Sequence, residues 1–259
     1  LDLLPADGAA ILNADDPYFD YLAARARCRV VSFGYSPKAD VQAVQEKSDG
    51  RDGTIFRLVL PGKVRHTIVR IRVQGSHNVT NALAAAAAGV VLGISGAVIA
   101  QGLSRFRPAA MRSQVVVSHG VRIINDCYNA NPASMKAAVQ LLAQSGAGRK
   151  TVAVVGDMLE LGPGAIRMHE EVGAFIAQQR VSHLIACGEL GRSLAEGARR
   201  AGMDRTAIIE LPDAAAAAAA VKAMVSSGDV VLVKASRGMK MEQVVSALQG
   251  AKRAARKAS

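Results

Sequence analysis

From Val121 to Gly250 the sequence alternates between two patterns, and this restricts the fold more than any other feature. Short apolar runs (VRII, KTVAVVGDM, SHLIACG, TAIIELP, DVVLVKASRG) are followed by runs of helical character (KAAVQLLAQ, MHEEVGAFIAQQR, ELGRSLAEGARRAG, DAAAAAAAVKAMVSSG, MEQVVSALQG). Strands that are apolar throughout are buried on both faces, and strands joined through helices run parallel. The pattern therefore implies an α/β fold with a mostly parallel sheet covered on both sides. Just before it, Val115–Val117 and Val121–Ile124 flank His119-Gly120 and read as a hairpin.

Upstream the rhythm differs. GAAILN (Gly8–Asn13) and RVVSF (Arg29–Phe33) read as strands, the first ending in the polar turn ADDP. Between Val41 and Val73, TIFRLVL and HTIVRIRV alternate as antiparallel strands do, with Pro61–Lys63 as a turn. GSHNVTNALAAAAAGVVLG then opens a helix, for which Ser76 or Asn78 could serve as N-cap. The change of rhythm after Arg107-Pro108 predicts two domains, 1–107 and 108–259.

Composition narrows the class. Aromatics are 3% of the 259 residues and Trp is absent, so Ala, Val, Leu and Ile must build the core. A formal charge of +11 favours anionic partners. Part of it lies in AKRAARKAS, from about residue 251, which reads as a solvated tail. Cys28, Cys127 and Cys187 are far apart, odd in number and without a C-x-x-C pair, which fits a reducing, cytoplasmic setting rather than a disulfide framework or a structural zinc site. The stretch Ala82–Ser104 is uncharged, but it is rich in Ala and Gly, and Gly93–Ser95 reads as a helix stop followed by an N-cap. Two short packed helices explain it better than a membrane span. The opening, LDLLPADGAAILNADDP, reads as the middle of a domain and so as part of a longer protein.

Ligands of open parallel sheets collect at the carboxyl ends of strands. Three polar clusters fall there: Asp126–Asn131, Gly156–Glu160 and Lys234–Arg237. Asp, Asn, Gly and Ser are ordinary turn and cap residues, so one such loop would mean little. Three loops that also carry Tyr128, Asp157, Glu160, Lys234, Ser236 and Arg237 favour a site. Asn78 and Asn81 share a helix face, and their amides can donate and accept as a purine edge requires. Arg112, in MRSQ, could pair with a phosphate through its planar fork. His169 reads as a packing or capping residue. VVGDMLELG lacks the G-x-G-x-x-G of dinucleotide-binding turns, and no H-E-x-x-H, G-x-S-x-G or paired His/Cys metal pattern occurs.

Taken in order, NADDP, GSHNVTNALAA, MRSQ, INDCYNANPASM, VAVVGDMLELG, MHEEVG and LVKASRGMKMEQVV resemble the Mur ligase family. The pair D-x-YNANP-x-SM and GDM-x-ELG resembles most the branch that adds D-alanyl-D-alanine to UDP-MurNAc-tripeptide, a peptidoglycan precursor. The resemblance covers Asn13–Val245. It implies the last part of a central ATPase domain (1–107), followed by a Rossmann-like C-terminal domain (108–259). It also implies ATP and Mg²⁺, and amide formation through an acyl phosphate in the bacterial cytoplasm.

Residue by residue, the resemblance places Asn78 and Asn81 near adenine, with His77 in the same motif, Arg112 on ATP phosphates and Asp126 on the ribose. Tyr128 and Asn131 would face the closing active site. Lys234, Ser236 and Arg237 would form the acceptor or peptide site, with Asp157 and Glu160 in the loop between. No G-x-x-x-x-G-K-[ST] loop occurs in the chain. The phosphate cradle and the family's modified lysine and catalytic acid are therefore expected upstream of residue 1, and the chain by itself is expected to be inactive. The partners implied are the two small-molecule substrates, with no membrane span and a monomeric state. Two rivals remain: a nucleotide-binding module without catalysis, and a nucleic-acid-binding protein. The second lacks an aromatic stacking platform.

Overall fold

A computed structural model describes residues 1–50, 52–62 and 66–250. The Lys63 end of the Pro61–Lys63 turn and the basic tail lie outside these residues. The chain divides into two compact units, Leu1–Arg107 and Pro108–Ser259.

In the first unit, β1 (Ala9–Asn13), β2 (Arg29–Gly34), β3 (Val41–Ser48), β4 (Thr54–Val59) and β5 (Thr67–Ile71) form one sheet in that order. A short helix, α1 (Phe19–Arg25), joins β1 to β2, which run parallel. The antiparallel β3–β4–β5 meander follows from its alternation: Phe56 and Leu58 are buried with Arg57 exposed between them, as are Val69 and Ile71 with Arg70 between. The sequence did not reveal that β3 also pairs in parallel with β2 (Phe33↔Val41, Gly34↔Gln42), so both patterns share one sheet. The ADDP turn is tied to the end of β2: the Asp15 carboxylate accepts from the Tyr35 and Ser36 amides at 2.7 and 2.8 Å.

Two helices complete this unit. α2 (Ser76–Val91) buries Val79, Ala82, Leu83, Ala86 and Ala87, the spacing of one helical face. Its N-cap is Gly75 at φ 96°, without a side-chain bond, so neither Ser76 nor Asn78 caps it. A left-handed φ at that point suits glycine. The helix stops at Gly93 (φ 69°), whose amide bonds Val90 O while Ile94 N bonds Gly89 O. That is a Schellman cap. α3 (Gly96–Arg105) follows after Ser95. Among the described residues no helix is long and apolar enough to cross a membrane.

The second unit begins with the hairpin of β6 (Gln114–Ser118) and β7 (Val121–Asn125). His119 and Gly120, at φ 53° and 80°, form its two-residue turn. Then α4 (Pro132–Ser145), β8 (Thr151–Gly156), α5 (Ala165–Gln178), β9 (His183–Cys187), α6 (Gly191–Arg200), β10 (Ile208–Leu211), α7 (Ala214–Met224), β11 (Val230–Lys234) and α8 (Glu242–Gly250) alternate. The sheet order is β10-β9-β8-β11-β7-β6, parallel except for the hairpin. Period-two alternation splits the strands between two cores. Ala153, Val155, Val230 and Leu232 pack with α4, α5 and α6, whereas Val152, Val154, Val231 and Val233 pack with α7 and α8.

This topology creates a crevice. After β8 the chain leaves toward α5 on one face, and after neighbouring β11 it leaves toward α8 on the other. Loops that diverge from adjacent strands open a gap at their carboxyl ends. On the α5–α6 side the helix backbones meet at glycines. A Cβ on Gly173 would lie 1.9 Å from Leu194 O, and one on Gly197 would lie 1.9 Å from Glu170 O.

Candidate functional site

The three polar loops follow β7, β11 and β8, which are neighbours in the sheet, so the topology gathers them at one edge of the second unit. In the β7 loop, the Asp126 amide continues the ladder to Val233 O at 3.0 Å. The Asp126 carboxylate accepts from Lys234 Nζ at 2.6 Å and from the Ser113 amide at 2.7 Å. Lys234 Nζ also donates to Asn129 O at 2.7 Å. The side chains of this pair are only 3% and 14% exposed, so Lys234 holds the β7 loop rather than reaching the crevice.

Asn131 and Ser134 form a capping box on α4, with Pro132 in the first turn. Asn131 Oδ1 accepts the Ser134 amide at 2.8 Å. Asn131→Ala should therefore lower stability by about 1 kcal/mol, read as a reduced urea midpoint with unchanged slope. Tyr128, in contrast, is exposed, and the Arg112 guanidinium lies 4.0 Å from its ring centroid. Met111 and Ser113, on either side of Arg112, both have left-handed backbones at φ 61° and 47°. Such strain in non-glycine residues persists where the surroundings hold it, and it concentrates at functional sites.

The β8 loop is fastened on two sides. The Asp157 carboxylate accepts from the Glu189 and Leu190 amides at 3.0 Å each. Burial pushes the Asp157 carboxyl above the usual range, against those amides, which pull it down. Gly188 (φ 105°) is required beside it, because an added Cβ would lie 2.5 Å from Asp157 Oδ2. His169 is fully buried. Its Nε2 accepts the Met158 amide at 2.9 Å, and its Nδ1 faces Ala165 O at 2.7 Å and so donates to it. It is thus a packing residue that fixes the loop. Past Met158 the loop turns outward, and Glu160 is exposed at φ 64°.

The β11 loop is stitched to the β8 loop. Ser236 N donates to Asp157 O at 3.0 Å, and Ser236 Oγ accepts from Leu159 N at 2.9 Å. Beyond it, Arg237 Nη1 pairs with Glu242 Oε1 at 3.2 Å and approaches Met111 Sδ at 3.2 Å. The loops border an open cavity of about 330 Å³ lined by Tyr128, Asn129, Leu159, Glu160, Ser236, Arg237 and Gly238. The structure therefore brings Tyr128, Glu160, Ser236 and Arg237 together and leaves Asp157 and Lys234 behind them as fasteners. Asn129 and Leu159 were missed as lining residues. Asn129 lay within the polar cluster, but nothing in the sequence turned Leu159 outward. Cys127 and Cys187 are buried, which raises their thiols to about 12 and about 11, so neither is a thiolate near neutrality.

The first unit has a separate cavity of about 510 Å³ bounded by β5, α2 and α3. Its walls are apolar (Ile71, Val73, Val98, Leu103, Phe106), apart from Asn78 and Asn81. Asn78 Nδ2 donates to Gln74 O at 2.8 Å and lies 3.1 Å from His77 Nε2. The Asn81 amide has no hydrogen-bond partner among the described residues. An apolar slot with a free amide fits a planar heterocyclic base.

A doubly wound α/β unit with its polar loops at the switch point has the architecture in which ligands collect at the carboxyl ends of the strands. Residues 1–89 match the Mur ligase middle domain, and residues 111–237 match the Mur ligase, glutamate ligase domain. The chain belongs to the Mur ligase family. It is similar to the UDP-N-acetylmuramoyl-tripeptide–D-alanyl-D-alanine ligase of Bacillus subtilis (strain 168), with 37% identity over 243 residues, 93% of this chain and 51% of that protein. The enzyme of the same name from Escherichia coli (strain K12) is 33% identical over 256 residues, 95% of this chain and 53% of that protein. A crystal structure of MurF from Acinetobacter baumannii matches with a TM-score of 0.82 at 29% identity, covering 95% of this chain and 52% of that one. MurF from Thermotoga maritima in complex with ADP shares the fold, with a TM-score of 0.78 at 22% identity, covering 95% and 54%. The chain spans about half the length of the curated relatives it matches.

Proposed function

We propose that this chain supplies the base-binding and acceptor-binding surfaces of an ATP-dependent, amide-forming ligase that adds D-alanyl-D-alanine to UDP-MurNAc-tripeptide. The observation that carries the reading is the cavity at the β7, β8 and β11 ends, where Tyr128, Glu160 and Arg237 meet. In this reading the γ-phosphoryl group of ATP passes to the terminal carboxylate of the tripeptide. The amine of the dipeptide attacks the acyl phosphate, phosphate departs with the bonding electrons, and the amine loses a proton. Asn78 and Asn81 hold the adenine edge in the apolar slot, with His77 beside Asn78. Arg112 leaves Tyr128 to reach phosphate, as its exposed stack permits.

Asp126 takes the ribose hydroxyls, sharing its carboxylate with Lys234 and Ser113. Tyr128 faces the reacting groups from the crevice, and Asn131 does so from the start of α4. Lys234, Ser236 and Asp157 act by holding the loops. Mg²⁺ would neutralise charge on the phosphates. The described residues contain no group of three or more His, Cys, Asp or Glu that could hold a metal ion, so no Mg²⁺ site is assigned to them.

Titration of the chain with ADP tests the base slot. Asn81→Ala should weaken binding about tenfold, the loss of one or two neutral hydrogen bonds. Equal affinity would remove the nucleotide from this slot. Given ATP, the tripeptide substrate and D-alanyl-D-alanine, these 259 residues alone should release no phosphate, because they carry no phosphate-cradling glycine loop. Turnover by the chain alone would overturn that part of the reading.

A further inference from the structure

The slot beside β5, α2 and α3 takes its polar wall from the first turns of α2, and that end of the helix has no cap of its own. Gly75 offers no side chain, and the first turn holds no acidic residue. A carboxylate from another element takes that place. Glu46 Oε1, on β3, accepts from Ser76 Oγ at 3.1 Å, and Glu46 Oε2 accepts from the Tyr35 hydroxyl. The Tyr35 hydroxyl also lies 3.3 Å from Ser76 O. Ser76, the first residue of α2, is therefore gripped by side chain and carbonyl alike, and a negative charge faces the positive end of the helix. Tyr35 is fixed in turn: its amide donates to Asp15 at 2.7 Å and its carbonyl accepts from Gln42 Nε2 at 3.0 Å. Burial, and then the Glu46 carboxylate, push its phenol above the usual range, so it stays a donor.

Glu46 reaches α2 because β3 is bulged. Val44 pairs with Arg57 and Lys47 with Ile55, so Gln45 and Glu46 together oppose Phe56. Val41 and Ala43 lie in the core that α2 covers, and strict alternation would give the next place on that face to Gln45. The extra residue gives it to Glu46 instead. Gln45 takes up the bulge with a left-handed backbone at φ 54°, a conformation that persists in a non-glycine residue where its surroundings hold it. The grip bears on what α2 shows the slot. Asn78 Nδ2 is committed to Gln74 O and His77 Nε2, so the atom Asn78 has left for a ligand is Oδ1, an acceptor. An acceptor there satisfies the exocyclic amino group of adenine and opposes the oxo group that hypoxanthine carries in its place. We propose that Glu46 and Tyr35 are positioning residues: through Ser76 they fix the first turn of α2 so that Asn78 presents an acceptor and the slot selects an amino-purine over an oxo-purine. The proposal rests on the base-slot reading and adds to it residues outside the slot wall.

The test is to titrate the 259-residue chain with ADP and with inosine diphosphate. The unmodified chain should bind ADP about tenfold more tightly, the worth of one neutral hydrogen bond against an unpaired acceptor. Glu46→Ala and Tyr35→Phe should each cut that preference to about threefold or less, mainly by weakening ADP. Glu46→Gln should restore most of it, because its carbonyl accepts from Tyr35 and its amide donates to Ser76 Oγ. Both residues are only partly buried, and each titration is run well below the variant's melting midpoint. A purely structural role would weaken both nucleotides equally, and that result would overturn the proposal, as would folded variants that keep the full preference or equal binding of the two nucleotides by the unmodified chain. The Asn78 side-chain amide signal, followed by NMR in the free protein, separates the two readings. If neither nucleotide binds and that signal still shifts in Glu46→Ala, the base slot fails and the positioning stands. If ADP binds and the signal does not move, the positioning fails and the slot stands.

Discussion

Lys234→Met should destabilise the second unit by about 3–5 kcal/mol, because it leaves the Asp126 carboxylate buried without its counter-ion. The pair is close, at 2.6 Å, and its side chains are only 3% and 14% exposed, so water cannot replace the ammonium. Asn129 O also loses its donor. Asp126→Leu alone should be costly too, since it strands Lys234. The double variant, Asp126→Leu with Lys234→Met, should recover most of the loss, as apolar replacements of buried ion pairs often do. Urea unfolding of the four proteins reads this directly. Additive losses in the double variant would mean that the two side chains act independently.

Gly173→Ala and Gly197→Ala should each lower stability by about 3 kcal/mol or more, and the sign is the informative part. Helix propensity alone favours alanine over an interior glycine by about 1 kcal/mol. Here the added methyl would meet backbone oxygens at 1.9 Å, Leu194 O in one case and Glu170 O in the other. Backbone cannot rotate away as a side chain can, so α5 and α6 must move apart and loosen the packing of Val172, Ile176, Leu194 and Ala198. Thermal melts settle it: unchanged or raised midpoints would mean that the helices separate freely.

Much of this architecture was legible in the sequence, because it depends on local period. The strand–helix alternation, the His119-Gly120 turn and the Gly93 stop are decided by nearby residues. Strand order is not local, and nothing in VVLVK says that it pairs with both β7 and β8. The parallel pairing of β2 with β3 escaped for the same reason. In the site, Lys234 and Arg237 read alike as loop cations. Their difference lies in strand phase. Lys234 is the last residue of β11 and shares a face with Val230 and Leu232, so it is carried inward under the β7 loop. Arg237 comes after the strand has ended and is free to turn out. Similarly, Asp157 and Glu160 are both acids of one short loop. The tight turn at Gly188 presents the Glu189 and Leu190 amides to Asp157, and among the described residues no such partner reaches Glu160.

The place of β11 also has a bearing on how this unit is made. It is the last strand among the described residues, yet it fills the gap between β7 and β8, and both cores draw side chains from it. On the ribosome, β7 and β8 emerge early with that gap between them and wait for more than seventy residues of intervening and following chain. Until Val230–Lys234 is free, two apolar strand edges remain open, the condition that invites mispairing and chaperone capture. The crevice therefore cannot exist at an intermediate stage of synthesis: the strand that completes the sheet also brings in Lys234 to fasten the Asp126 loop.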